Sequence, residues 1–306
     1  MQNHTQENDI FKLAVENLFE GVYFVDIHRK ITFWNKSAER ITGYSADKVV
    51  GDFCSRNLLV HVDKSGNNLC KSLCPLLSAI VEGKAHQEET LFLHHRDGHR
   101  LPISVSISTI RDHNGTIIGA IEVFQEKIRE TMDPADLEDL KNAAFIDALT
   151  GLPNRRYLEM KLKSVQKDFQ EKNIIYGLLF MDLDQFKAIN DEYGHGIGDD
   201  ILKMIARTIG ANIRKSDMIG RWGGEEFVAI LCPADTNVLN LVANKLRMLV
   251  ENSFLIINEK KIQVTVTVGA ALATGQDTLD ALLNRADRGL YQGKMQGRNR
   301  VIFRQD

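Results

Sequence analysis

No stretch of this chain approaches the ~18 uninterrupted apolar residues that a bilayer span requires. The opening residues, MQNHTQENDI, lack the basic segment followed by an apolar one that marks a secretory leader. Neither membrane insertion nor export is expected, and the cytoplasm is the expected compartment. In a chain without a leader, four cysteines (Cys54, Cys70, Cys74, Cys232) read as thiols or ligands rather than a disulfide frame. Collagen-like repetition and disorder are both excluded by a composition of 43% apolar and 26% charged residues, which is that of a globular protein. A net charge of only −3 excludes a strongly basic nucleic-acid binder, so DNA is not an expected partner.

What is present argues for two domains, since the chain has 306 residues and a domain takes roughly 150. Charge is unevenly spread: −2 over residues 1–127, −4 over 128–149 and +3 over 150–306. The last part has the sign that suits a phosphorylated ligand.

Residues 21–25 and 30–34 are short β-rich runs around a polar turn, which predicts a hairpin. Three more strands are predicted over 88–95, 100–110 and 116–125, linked by Asp97-Gly98 and Asn114-Gly115, dipeptides favoured where a turn needs positive φ. The segments GVYFVDIHRKITFWNKSAERITGYSADKVVGD and HHRDGHRLPISVSISTIRDHNGTIIGAIEVFQE resemble the opening and closing parts of PAS sensory domains. The resemblance covers residues 9–127 and implies a five-stranded antiparallel sheet with helices. It leaves the bound cofactor unknown, because such domains bind haem, flavin, small metabolites or nothing.

Residues 128–146 read as an acidic helical linker with apolar positions at Leu137, Leu140, Ala144 and Phe145, and with Pro134 in its first turn or at a kink. It reads equally as half of a short coiled coil in a dimer or as a solvated helix. From residue 174 onward strands and helices alternate: strand 174–181, helix 198–213, a two-stranded turn over 218–231, helix 238–250, strand 263–270, helix 278–294 and strand 300–303.

RWGGEEF at 221–227 is the sharpest feature of this half. Gly223 and Gly224 let backbone approach a bulky ligand, and the adjacent Glu225 and Glu226 point to opposite sides of a strand start. Taken alone, the segment also fits a charged hairpin. Asp182 and Asp184 end the strand before them, where carboxylates can hold a hard cation; Asp184 reads better as the cap of a helix starting near Gln185.

DALTGLPNRR at 147–156, DLDQFKAIN at 182–190, GHGIGD at 194–199, RWGGEEF and KMQGRN at 294–299 together resemble GGDEF-domain diguanylate cyclases over residues 147–306. The resemblance implies a nucleotidyl-cyclase-like α/β domain with a ferredoxin-like palm, following the PAS domain and linker in an α+β, α/β two-domain chain. It implies condensation of two GTP into cyclic di-GMP and two pyrophosphates by a homodimer, with two Mg²⁺ (or Mn²⁺) per site. Carried over by position, Asp182, Glu225 and the Leu183 carbonyl would hold metal, and Glu226 would lie near the ribose 3′-hydroxyl. Asn190 and Asp199 would bind guanine, Asp199 favouring it over adenine. Phe186 and Lys187 would line the phosphate end, while Lys294 and Arg298, four apart on one helix face, would neutralise the β- and γ-phosphates. The third motif position is Glu225 where the family name has Asp, one methylene longer but still a carboxylate.

Arg214 and Asp217 match the family's RxxD site for inhibition by the product, cyclic di-GMP, with a surface ion pair as the alternative; Arg247 would add a secondary contact. A domain that only senses the nucleotide is the competing class of function, and the intact Asp182, Glu225 and Glu226 argue against it. Cys54, Cys70 and Cys74 mark a candidate ligand site in the PAS domain. Pro75 places Cys74 in an extended loop ahead of a helix over 76–81, with Cys70 in the same loop. With His61 the three thiols can complete a zinc or iron–sulfur site, or they are simply buried or redox-reactive. A flavin photosensor fits less well, because Phe53 and Ser55 flank Cys54 in place of the asparagine and arginine expected there.

Overall fold

The computed structural model describes residues 13–54, 56, 58–72, 74–127, 145–275 and 277–304. The chain divides into two compact units, Met1–Lys127 and Ile128–Asp306. The expected linker positions Pro134, Leu137, Leu140 and Ala144 lie outside the described residues. Phe145 and Ile146, expected to end that helix, are not helical, and Ile146 bridges to Pro153.

In the first unit, β1 (Gly21–Asp26), β2 (Ile31–Trp34), β3 (His86–His94), β4 (Arg100–Arg111) and β5 (Ile117–Glu126) form an antiparallel sheet of order β2-β1-β5-β4-β3. Four short helices, α1 (Lys36–Thr42), α2 (Ala46–Val49), α3 (Leu69–Ser72) and α4 (Pro75–Glu82), lie between β2 and β3 in the chain. The hairpin turns obey the local chemistry read from the sequence. At β4–β5 the Asp112 carboxylate accepts from the backbone N–H of Asn114 and Thr116 at 2.9 and 2.8 Å, and Gly115 takes φ 82°. Apolar side chains of β1, β4 and β5, with Trp34 and Leu76, close a core that also admits Cys54.

In the second unit, β6 (Gly177–Leu183) is buried along its whole length. It runs antiparallel to β8 (Glu226–Leu231) on one side and β11 (Val266–Leu272) on the other. With β7 (Met218–Gly223) and the edge strand β12 (Val301–Arg304) the order is β12-β11-β6-β8-β7. Omitting β12, this is the 4-1-3-2 order of a ferredoxin-like sheet. Side chains alternate across it. Leu179, Met181 and Leu183 pack with α7 (His195–Gly210) and α8 (Thr236–Glu251); Leu178 and Phe180 pack with α5 (Arg155–Lys172) and α9 (Leu279–Met295). A short hairpin, β9 (Phe254–Ile257) and β10 (Lys260–Gln263), precedes β11, and α6 (Phe186–Tyr193) precedes α7. Helix α9 lies almost on the strand beneath it. A Cβ at Gly269 of β11 would meet Ala286 O at 1.9 Å and Leu290 N at 2.4 Å, so this close crossing requires glycine.

Candidate functional site

That crossing sets Lys294, in the last turn of α9, over the end of β6. Asp182 lies inside β6 rather than beyond it, opposite Glu226 on β8 and Thr267 on β11. Directly opposed residues of antiparallel strands share a face, so Asp182 and Glu226 both stand on the α9 side. Lys294 Nζ meets Asp182 Oδ2 at 2.7 Å, and the Asp182 side chain is 9% exposed. Burial pushes the Asp182 carboxyl above its usual range despite Lys294, with Glu225 and Asp184 adding repulsion. Burial and then the Asp182 charge push Glu226 upward in the same way, against Lys294. Glu225 sits in the turn between β7 and β8, where its carbonyl accepts from the Leu183 N–H at 3.3 Å. Three acids and one cation therefore share the open end of the central strands.

Gly223 and Gly224 form the turn above them, and both are exposed. A Cβ at Gly223 would find its nearest neighbour, Glu226 Oε2, at 3.8 Å, so the backbone here borders open space. Arg221 fixes the turn: its Nη2 donates to Gly224 O at 2.7 Å, and its Nη1 donates to Asp147 Oδ1 at 3.1 Å. Asp147 also accepts from Thr150 N and Oγ1 at 2.9 and 2.7 Å. Burial works against ionisation there, but these hydrogen bonds hold the carboxyl below its usual range. Asp147 and Arg221 are 74 positions apart, so two separate motifs meet in one ion pair.

Asn190 on α6 and Gly198 on α7 face one another across the bend at Gly194. A Cβ at Gly198 would lie 1.9 Å from Asn190 Oδ1 and 3.2 Å from Phe186 Cζ. The missing side chain makes room for Asn190, with Asp199 exposed at the next position and Phe186 buried beneath. Sequence reading assigned no role to Gly198; its only signal was its place in the GHGIGD motif. Lys187 is exposed on α6.

Two expectations fail. Asp184 does not cap α6, whose N-cap is Gln185 at φ 57°. Its carboxylate instead accepts from Thr267 Oγ1 at 2.6 Å, Thr265 Oγ1 at 2.7 Å and Asn299 N at 3.0 Å, tying β11 and the segment after α9 to the end of β6. A buried carboxylate takes three donors there in preference to one exposed helix end. Lys294 and Arg298 do not share a helix face. Helix α9 ends at Met295, and Gly297, Arg298 and Asn299 all take positive φ. Arg298 is exposed and lines a separate groove of about 520 Å³ with Asp184, Ile189, Glu192 and Thr265.

Arg214 and Asp217 pair with each other, Nε to Oδ2 at 3.0 Å and Nη2 to Oδ1 at 3.3 Å. The Arg214 side chain is 49% exposed and that of Asp217 fully buried. Arg247 donates to Glu251 Oε2 at 2.8 Å and Asn299 Oδ1 at 2.7 Å.

In the first unit, Cys54, Cys70 and Cys74 line one cavity, with His61, Glu122 and Tyr23. Cys74 is extended ahead of α4, which Pro75 opens, but Cys70 is in α3 and not in a loop. Burial pushes the Cys54 thiol up, Cys70 to about 11 and Glu122 to about 7, and lowers His61 to about 4.

An acid cluster with one lysine at the end of a ferredoxin-like sheet, under a glycine turn, defines an α/β domain suited to a cation-bound anionic ligand. Residues 144–300 match the family profile described as diguanylate cyclase, GGDEF domain, and residues 15–127 match a PAS fold. The first match spans half the chain, which thus belongs to the GGDEF-domain family. The probable diguanylate cyclase DgcE of Escherichia coli K12 is 28% identical over 300 residues, 97% of this chain and 26% of that protein. The diguanylate cyclase DgcZ of the same organism is 37% identical over 158 residues, 52% of this chain and 53% of that one. This chain thus spans between a quarter and about half of each. A crystal structure of the coiled coil and GGDEF domain of DgcB from Caulobacter crescentus, in complex with c-di-GMP, superposes with TM-score 0.52 at 28% identity. It covers 56% of this chain and 91% of that one. Among the described residues, no helix is long and apolar enough to cross a membrane.

Proposed function

We propose that this chain is a diguanylate cyclase regulated by its PAS unit, condensing two GTP into cyclic di-GMP and two pyrophosphates across a homodimer. The observation that carries this reading is the contact of Lys294 with Asp182 at 2.7 Å, beside Glu225 and Glu226 and beneath an open glycine turn. Names of the relatives support it, as does the cyclic di-GMP held by the Caulobacter domain.

Asp182, Glu225 and the Leu183 carbonyl are hard oxygen donors. Burial raises Asp182 even with a lysine in contact, and the neighbouring acids add repulsion that a cation would relieve, a set that fits two Mg²⁺ or Mn²⁺ ions. When bound, such ions neutralise the triphosphate and acidify the 3′-hydroxyl. Lys294 shields the phosphates, and Asn190, for which Gly198 makes room, holds guanine together with Asp199. Glu226 lies at the 3′-hydroxyl. That hydroxyl passes its proton to the Glu226 carboxylate as its oxygen bonds to the α-phosphorus of the partner's GTP, and the bond to pyrophosphate breaks with its electron pair. Arg214 and Asp217 open from their mutual pair to take cyclic di-GMP.

Incubation of purified protein with GTP and Mg²⁺, followed by chromatography, tests the proposal. Cyclic di-GMP and pyrophosphate are expected; bound but unconverted GTP would establish a receptor instead.

A further inference from the structure

The core of the first unit holds groups that apolar packing alone does not explain. Cys54 follows β2, Cys70 lies in α3 and Cys74 precedes α4, yet all three border a cavity of about 20 Å³. His61 and Glu122 border it too, and His61 Nε2 and Glu122 Oε1 are buried without hydrogen-bond partners, 3.5 Å apart. A buried polar atom left unsatisfied is unfavourable. The space accepts one water-sized species, which is too little for a haem, a flavin or a polynuclear cluster.

We infer that this cavity is a mononuclear transition-metal site, in which Cys54, Cys70 and Cys74 as thiolates and His61 through Nε2 hold one zinc-class divalent ion. Three thiolates with one imidazole form a four-donor set that selects zinc over the oxygen-seeking Mg²⁺. Arg100, buried close to Cys70, and the divalent ion offset the charge of the three thiolates, while Glu122 adds an acid at the same cavity. Loading releases the three thiol protons to solvent. The ion also supplies the partner that His61 Nε2 lacks. Loading requires the four donors to close in, since among the described residues the trio whose donor atoms lie within 4.8 Å of one another is His95, Asp97 and His99, at the β3–β4 turn. That trio offers nitrogen and oxygen only, and the two sites are therefore distinguishable by spectroscopy.

The full chain, stripped by chelator under anaerobic reducing conditions, is titrated with Co²⁺ and then Zn²⁺. The expected result is one equivalent of cobalt with intense sulfur-to-cobalt charge transfer and tetrahedral ligand-field bands, bleached by zinc. Cys54→Ser and Cys74→Ser should each weaken binding at least ~10-fold, and Cys232→Ser, outside the cavity, should leave it unchanged. Absence of the sulfur band, with all four thiols equally reactive with and without zinc, overturns the assignment. A nitrogen and oxygen spectrum abolished by His95→Ala also overturns it, as does iron with acid-labile sulfide in the protein as purified anaerobically. If a cysteine variant fails to fold, the spectrum of the unsubstituted chain decides alone.

Discussion

Glycine acts in two opposite ways at neighbouring parts of the proposed site, and substitution separates them. At Gly223 a methyl group meets nothing nearer than 3.8 Å and the backbone does not require positive φ. Gly223→Ala should keep its melting behaviour, within about 0.5 kcal/mol. It should lose most activity, because the methyl enters the space the reacting phosphate needs. Equal turnover in a calorimetrically unchanged variant would place the phosphate elsewhere. At Gly198 the methyl would sit 1.9 Å from Asn190 Oδ1, and that side chain, rather than backbone, must move. Asp182→Ala removes a charge already partly offset by Lys294. Its kcat should fall by at least ~100-fold, the scale of one lost charge-stabilising group, with unchanged far-ultraviolet dichroism. Near-normal turnover would sink the metal-ligand role.

At the scale of elements, α9 carries Lys294 in its last turn and is anchored in its first half by Arg285. This arginine donates to Asp277 Oδ1 at 2.9 Å and Oδ2 at 2.6 Å, with both side chains under a tenth exposed. Burial opposes ionisation of Asp277, but the arginine prevails and holds its carboxyl below the usual range. A depressed carboxylate contributes stability that is present above its unfolded value of about 3.9 and is lost as pH falls through the folded one. Asp277→Asn should destabilise the second unit by about 3 kcal/mol near neutrality, since it strands a buried guanidinium. The difference from the parent in denaturant titrations should shrink below pH ~4; a gap independent of pH would assign the loss to packing. Much of this architecture was legible in the sequence: strand alternation marked β1 to β5, and the motif order placed Asp182, Glu225 and Glu226 together. Helix α5 went unread behind the DALTGLPNRR motif, although Leu158, Leu162 and Val165 fall at i, i+4 and i+7. The β9–β10 hairpin was missed because its turn, Asn258-Glu259, takes positive φ at both positions without a glycine to announce it. Arg298 was misplaced because helical spacing cannot show that α9 stops at Met295.

For the whole molecule, the proposed function has two consequences, one from the product serving as a brake and one from each protomer holding one GTP. Arg214 pairs with Asp217 through two hydrogen bonds, and if the proposed brake acts through this pair, Arg214→Ala should give progress curves that stay linear as cyclic di-GMP accumulates. Curvature equal to the parent's would leave the pair a surface ion bridge. The chemistry itself needs two sites face to face. Each of the two phosphodiester bonds joins the 3′-oxygen of one GTP to the α-phosphorus of the other, and the symmetrical arrangement that serves both at once is a two-fold dimer. Below the dissociation constant of that dimer its concentration rises as the square of the protein concentration, and specific activity should climb in proportion to protein before levelling off. Mixing supplies the sharper measurement. Excess Asp182→Ala chain added to a fixed amount of parent should draw it into heterodimers with one disabled site, and cyclic di-GMP production should fall as the variant is added. Production that is indifferent both to dilution and to the added variant would mean that one protomer completes the reaction alone, and the dimeric mechanism would have to be abandoned.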